Sequence, residues 1–502
     1  MSAIVDKRSV DTAIDIPILA RGRVIMPGAD AVEFAGRAGA RFRSPDPHKH
    51  IHDLVLADAG RLSDLQAMPI DAIIDFLAAL GPRLVTDGNP YLAQAFKLAL
   101  GAGGLTEPVL RAVYDQLPGL FERRKLDGMI ESTVGKAHLD GWVEKGSPGQ
   151  STIRVRAVGT RQLHITAGNV PVVAAYTVLR TALTKSDCLI KSPSNDPLTA
   201  NAIVRTMIDM DPEHPVTKHF AVAYWKGGDD VMESSICRTS RIDKITAWGG
   251  MASMKHIQKY LVPGLDLVAM NPKLSISIVG KEALENDAAM FQVAQGLALA
   301  AGRLNQTACS STRVVYVESG TDDASIARLI ALGEKYCAAL QTLPPYLSTA
   351  APRPDRNLEG ELEAIALEDD FYWVAGDTIK GGAIVSRFAG KVDFSDQLNN
   401  RIINLVPLAD LTKLYEWCDD QTQTVPIYPE RLREKMRDGL ALRGVQRIVP
   451  LVVNIAREKA TEEFDAPGLP HDGIEPLRRM VRWVIDQSSR PSGDAIALAG
   501  DS

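Results

Sequence analysis

The chain has 502 residues, 45% of them hydrophobic and 24% charged, with a formal net charge of −6. This is the make-up of a globular protein with core enough for two or three domains. The acidic balance, with no basic stripe, excludes nucleic acid or an anionic membrane surface as the main partner.

The N-terminal "MSAIVDKRSVDTAIDIP" carries acids and no continuous apolar run, so it does not read as a secretory signal. Apolar stretches such as "VPVVAAYTVL" fall short of the ~18 residues that a membrane span requires. A cytoplasmic protein is expected. Next, "RGRVIM" reads as a short strand, and the crowded His48, His50 and His52 as a solvated loop, since no further Cys or His lies at metal-ligand spacing. From "MPIDAIIDFLAALGPRL" to about residue 145 the apolar spacing is helical.

"STIRVRAVGTRQLHITAGNVPVVAAYTVLRTALTKSDCLIKSP" then reads as β-rich sequence, a Gly168-Asn169 turn, a helix with Pro171 near its first turn, and the buried strand "CLIK". Strand, helix, strand is the parallel crossover unit of an α/β sheet. The pattern continues with a helix over 197–210, the strand "FAVAYW", a loop at Gly227-Gly228, the strand "KITAW" and the turn "GGMASM". "KLSISIVG" is a strand, "DAAMFQVAQGLALAAG" a helix and "STRVVYVES" a strand. The terminal "EPLRRMVRWVIDQ" reads as a helix, with Met480 and Trp483 serving a core or a subunit interface.

Cysteines 188, 237, 309, 337 and 418 are odd in number, widely spaced and without a CxxC pair, which suggests neither disulfides nor a zinc site. Reduced thiols leave room for a nucleophile. Cys309 in "NQTACSST" lies between a helix and a strand among small residues, where a substrate carbonyl can approach and loop amides can donate to an oxyanion. The alternative is a small buried hydrophobe. Asn169 either points its amide at a ligand or caps the following helix. Lys191, followed by Ser192 and Ser194, ends a parallel strand where α/β ligand crevices form, or snorkels at the surface. Gly249 and Gly250 in "WGGMAS" put a helix N-terminus where a pyrophosphate docks, although two glycines alone are a weak signal.

Taken in order, these motifs resemble the aldehyde dehydrogenase superfamily across roughly residues 150 to 320. That resemblance implies an oxyanion role for Asn169, an adenosine-ribose role for Lys191, dinucleotide contact at Gly249 and Gly250, and a nucleophilic Cys309. With "HITAGNVPVVAAYTVL", "WGGMAS", "NQTACSS" and the tail "LPHDGIEPLRRMVRWV", nearly the whole chain is similar to the LuxC-type acyl-CoA reductases. His471, in the characteristic tail, either lines the active site or belongs to an ordinary "HDG" turn.

The segment "AMNPK" matches the place where hydrolytic relatives carry a general-base glutamate, which puts Ala269 there. Loss of that base disfavours hydrolysis and favours thiolate exchange, unless Asp266 substitutes. The activity implied is NAD(P)H-dependent reduction of an acyl thioester, on coenzyme A or on a protein, to the aldehyde. The alternatives are a coenzyme A-independent aldehyde dehydrogenase and a catalytically silent binding homologue.

Ser194 stands where NAD-preferring relatives carry an acid, so NADPH is expected, while the nearby Asp196 keeps NADH possible. Ser192 and Gly227 are assigned to the same cofactor. The expected fold is α/β: residues 1–274 a helical region and a doubly wound nucleotide-binding domain, 275–445 a catalytic domain, 446–502 a segment returning to the active site. A β-rich oligomerisation element near 151–166 makes a homodimer or homotetramer the expected assembly.

Overall fold

The computed structural model describes residues 13–36, 41–102, 104–145, 152–458 and 468–488. Most of the N-terminal stretch read for a secretory signal lies outside them.

Two seven-stranded sheets organise the described residues. The first runs in the order Asp266–Met270, Lys244–Trp248, Arg161–Ile165, Asp187–Lys191, Phe220–Ala223, Ile18–Ala20, Arg23–Ile25. Its first five strands are parallel, and the N-terminal hairpin adds two antiparallel ones. The parallel strands read as near-continuous apolar runs because helices cover both faces. Helix Val172–Leu183 is buried at every position, and Thr199–Met210 nearly so. From Arg161–Ile165 the chain steps outward through the next two strands, then returns at Lys244–Trp248 on the other side. That reversal is a topological switch point, which opens a crevice at the carboxyl ends of Arg161–Ile165 and Lys244–Trp248.

The second sheet runs Tyr372–Asp377, Gly381–Ser386, Ile402–Leu408, Thr312–Glu318, Ser275–Val279, Thr424–Tyr428, Arg447–Pro450, all parallel except its first strand. Helix Asp287–Gly302 crosses from Ser275–Val279 to Thr312–Glu318, so the loop that follows it delivers Cys309 to the amino end of the latter strand. A helical cluster over residues 51–140 packs on the first sheet through Leu77, Leu80, Val113 and Leu117.

A three-stranded sheet joins Val143–Lys145, Ile153–Val158 and Arg482–Gln487. This corrects the terminal helix expected from sequence. Helix stops after Pro476–Met480, and Trp483 pairs with Ala157 in an antiparallel strand. Met480 is fully buried, and Trp483 packs against the core from the rim. The three histidines also differ from a loop. Pro47–His50 and Ile51–Leu54 are helical turns, in which His48 Nε2 lies 2.8 Å from Asp229 and His50 Nδ1 lies 3.2 Å from Asp53. Among the described residues, no single helix is long and apolar enough to cross a membrane.

Candidate active site

Three consecutive non-glycine residues take the left-handed conformation ahead of the cysteine: Leu304 (φ 52°), Asn305 (φ 51°) and Gln306 (φ 64°). Each costs roughly 1–2 kcal/mol, so the loop needs compensating bonds. Gln306 supplies three, donating from Nε2 to the carbonyls of Thr312 (2.8 Å) and Ile402 (2.9 Å) and accepting from the Ile402 amide (3.0 Å). The Asn305 side-chain oxygen accepts from the Thr349 amide at 2.9 Å. The turn reverses the chain out of helix Asp287–Gly302 and leaves Cys309 half-buried at its tip. Ser275 Oγ donates to the Cys309 carbonyl at 2.8 Å and fixes the tip from below. The other four cysteines all have thiols pushed up by burial, and are poor nucleophiles for that reason.

Asn169 comes to this loop from the switch-point crevice of the first sheet. It caps no helix, since Val172–Leu183 begins at Pro171 with no side-chain cap. Its amide instead donates to the Thr307 carbonyl at 3.2 Å. Gly168 makes that approach possible: a Cβ there would stand 2.3 Å from Asn195 Oδ1, whose own amide donates to the Gly168 carbonyl at 2.7 Å.

A cleft of about 230 Å³ brings together Asn169, Val170, Trp248, Cys309, Gln423, Arg447, His471 and Asp472. Sequence reasoning did not find Gln423, whose Nε2 lies 3.1 Å from Cys309 Sγ and also bonds the Asp472 carboxylate. No local pattern marks it; it is a polar residue ahead of strand Thr424–Tyr428.

His471 does both things left open for it. It sits in a tight turn with Asp472 (φ 51°) and Gly473 (φ 75°), and its ring packs edge-on against Trp248 at 5.1 Å. Burial, with help from Arg180 and Arg447, lowers it to about 3, so it is neutral at ordinary pH. On the other flank of the Cys309 loop, a second cavity of about 230 Å³ is lined by Leu299, Ala300, Ser310, Pro426 and Leu451, and shares Arg447 with the first.

The cofactor candidates separate into two groups. Lys191 is no snorkelling lysine: its Nζ lies 5.5 Å over the Trp225 ring, and burial lowers its pKa. Ser192 Oγ is buried with no hydrogen-bond partner among the described residues. Gly250 caps helix Met251–Gln258 with no side-chain bond, leaving backbone amides for an anion. A Cβ on Gly249 would meet Ser253 at 2.9 Å. Ser194 is half-buried, whereas Gly227 lies in a loop where a Cβ would meet nothing.

Asp196 is turned away from this region. It is buried and accepts from the Thr199 amide (3.1 Å) and hydroxyl (2.6 Å) at the start of the next helix. The acid that does act on Lys191 is Glu233, which sequence reasoning missed. Asp266 is tied to Lys244 at 2.7 Å, at the opposite end of its strand from the crevice.

Comparison with known proteins follows the same lines. The family model described as Acyl-CoA reductase (LuxC) matches residues 65–483. A long-chain acyl-protein thioester reductase of Aliivibrio fischeri is 30% identical over 432 residues, 84% of this chain and 83% of that protein. Its Vibrio harveyi counterpart is 24% identical over 93% of this chain and 92% of its own. Among solved structures, an NADP-dependent glyceraldehyde-3-phosphate dehydrogenase from Bacillus halodurans, complexed with NADP, superposes with a TM-score of 0.70 at 14% identity, covering 95% of this chain and 99% of that one. Lactaldehyde dehydrogenase from Escherichia coli gives 0.69 at 14%, covering 95% and 100%. The α/β architecture is thus that of the aldehyde dehydrogenases, and the chain belongs to the LuxC acyl-CoA reductase family.

Proposed function

We propose that this protein reduces an acyl thioester to the aldehyde through an acyl-enzyme on Cys309. The observation that carries the reading is the meeting of Cys309 and Asn169 in one cleft, from two different sheets, at the switch point where an α/β sheet binds ligands.

Cys309 Sγ attacks the thioester carbonyl carbon, and the resulting oxyanion takes hydrogen bonds from the Asn169 amide and a backbone N–H of the loop. The carbon–sulfur bond to the donor breaks, and the donor thiol leaves. Lys191, Ser192, Ser194, Gly249 and Gly250 are the residues that would hold a dinucleotide; a buried serine hydroxyl without a partner and an uncapped helix N-terminus fit its phosphates. A reduced nicotinamide bound there supplies the hydride equivalent. Hydride arriving at the acyl carbon would leave its oxygen as an oxyanion on the Asn169 amide and the loop N–H; the carbonyl re-forms from it as the bond to Sγ breaks, and the aldehyde departs with the thiolate restored.

The cavity beside Ser310 is polar at Arg303, Arg447 and Glu458 but offers the acyl chain an apolar wall of Leu299, Ala300, Pro426 and Leu451, and the names of the relatives favour a long chain delivered on a protein, with acyl-CoA as the other donor. Ser194, together with the inward-turned Asp196, supports NADPH over NADH. Of the oligomerisation element expected near 151–166, Arg161–Ile165 belongs to the first seven-stranded sheet, so a homodimer or homotetramer in the same reading would build on Ile153–Val158 and the strands beside it, Val143–Lys145 and Arg482–Gln487.

The test is an assay of the purified protein with acyl-CoA and acyl-carrier-protein donors of several lengths, NADPH or NADH, following thiol release and cofactor oxidation together. Both should rise in step. Oxidation of free aldehyde without any thiol acceptor would instead establish the dehydrogenase alternative.

A further inference from the structure

What activates the cysteine is not visible in the sequence: no lysine or histidine adjoins Cys309, and His471, which shares its cleft, is held neutral. The structure presents a different group. The Gln423 amide lies between two acceptors, Cys309 Sγ at 3.1 Å and the Asp472 carboxylate. A carboxamide can turn either its oxygen or its NH₂ toward a neighbour. An ionised carboxylate only accepts, so Asp472 requires the NH₂ end. The second hydrogen of that NH₂ is then left for the sulfur, which as a thiolate is an acceptor.

We propose that Gln423 is a catalytic residue that donates a hydrogen bond to the Cys309 thiolate, and that Asp472 is the positioning residue that dictates which end of the Gln423 amide faces the sulfur. The relay rests on the reading of Cys309 as the nucleophile. Asp472 owes its place to the left-handed turn through Gly473 and to the strand that follows, which anchors the tail on Ile153–Val158. Gln423 owes its place to the second sheet: its carbonyl accepts from the Gln446 and Arg447 amides, and its own amide donates to the Leu274 carbonyl at 2.8 Å. Three separate parts of the chain therefore meet at one sulfur.

Other charges face the same atom. Arg313, on the strand that Cys309 precedes, is pulled down by burial, while charge on Cys309 favours its cationic form. Arg447 lines the cleft, and Arg180 interacts with both Asp472 and His471. These cations favour a thiolate, whereas the Asp472 charge opposes one. Asp472 thus separates the two accounts of its role. As a mere charge its removal would ease thiol ionisation; as the residue that orients Gln423, its removal would hinder it.

The experiment is the pH dependence of Cys309 alkylation by iodoacetamide in the full chain, with Cys309→Ala as the blank. Gln423→Met, close in shape but without a donor, should move the midpoint up by about one pH unit, the scale of a hydrogen bond to a charged group. Asp472→Leu, which has no acceptor, should also move it up. Thermal unfolding and circular dichroism establish that each variant is folded; should Gln423→Met not fold, Gln423→Glu, which replaces the donor with an acceptor, reads the same shift. A midpoint unchanged in folded Gln423→Met, or unchanged or lowered in folded Asp472→Leu, overturns the relay. Labelling with a radioactive acyl-CoA separates this from the underlying reading. Acylation of Cys309 with unshifted midpoints rejects the relay alone, and absence of acylation in the unaltered protein rejects the acyl-enzyme.

Discussion

The Asn169 amide lies 3.2 Å from the Thr307 carbonyl, two residues before Cys309, and this bond ties the switch-point turn of one sheet to the Cys309 loop of the other. Asn169 is solvent-exposed, so the amide is open to exchange that carbonyl for a substrate oxygen. Asn169→Ala should lower turnover on the order of 10²- to 10³-fold, as expected for loss of one oxyanion donor, while Cys309 still alkylates. Stopped-flow cofactor oxidation and iodoacetamide labelling, run on the same sample, check both halves.

Cys309→Ala should abolish both the covalent acyl adduct and cofactor oxidation. Intact-mass spectrometry after incubation with acyl-CoA provides the readout. An adduct that survives the substitution would place the nucleophile elsewhere, and the buried, raised thiols of Cys188, Cys237, Cys337 and Cys418 make that outcome unexpected.

If the acyl chain occupies the cavity beside Ser310, filling it changes length preference before it changes chemistry. Ala300→Phe should raise KM steeply for long acyl donors and leave short ones near their original values. A uniform loss across all chain lengths would show that the chain lies in the other cleft.

Acid should destabilise this fold through two histidines. His164 is fully buried, bonded to Gln162 at 2.9 Å, and lowered to about 3 by burial and by Arg180; His471 is lowered to about 3 as well. For a base depressed in the folded state, the unfolded chain takes up protons first. The stability contribution is whole above pH 6.5 and is lost as pH falls from there toward 3. Urea midpoints measured across that window should drop, and His164→Gln should flatten the slope. Because His471 stays neutral, the rate profile should show no histidine limb near pH 6.5 that His471→Gln removes.

Much of this was written in local pattern. Helix Asp287–Gly302 and strands Ser275–Val279 and Thr312–Glu318 follow from apolar periodicity and runs, since burial on one or both faces leaves that mark. The motif residues Asn169, Lys191 and Cys309 stood out because turns and strand ends need recognisable neighbours. Gln423 did not, because what gives it meaning is a sulfur and a carboxylate from distant parts of the chain. The tail misled for the same reason. Leu477, Met480, Val481 and Val484 stand at helical spacing, but the hydrogen bonds of Arg482–Gln487 go to Ile153–Val158, and that pairing overrides local preference. Asp196 and Asp266 were legible as acids, yet only their bonds to Thr199 and Lys244 show that they are engaged elsewhere.

The strand Arg482–Gln487 holds the tail whose Asp472 bonds Gln423 beside Cys309. That strand lies at the edge of its sheet, so peeling it away would loosen the surroundings of the sulfur without opening either seven-stranded sheet.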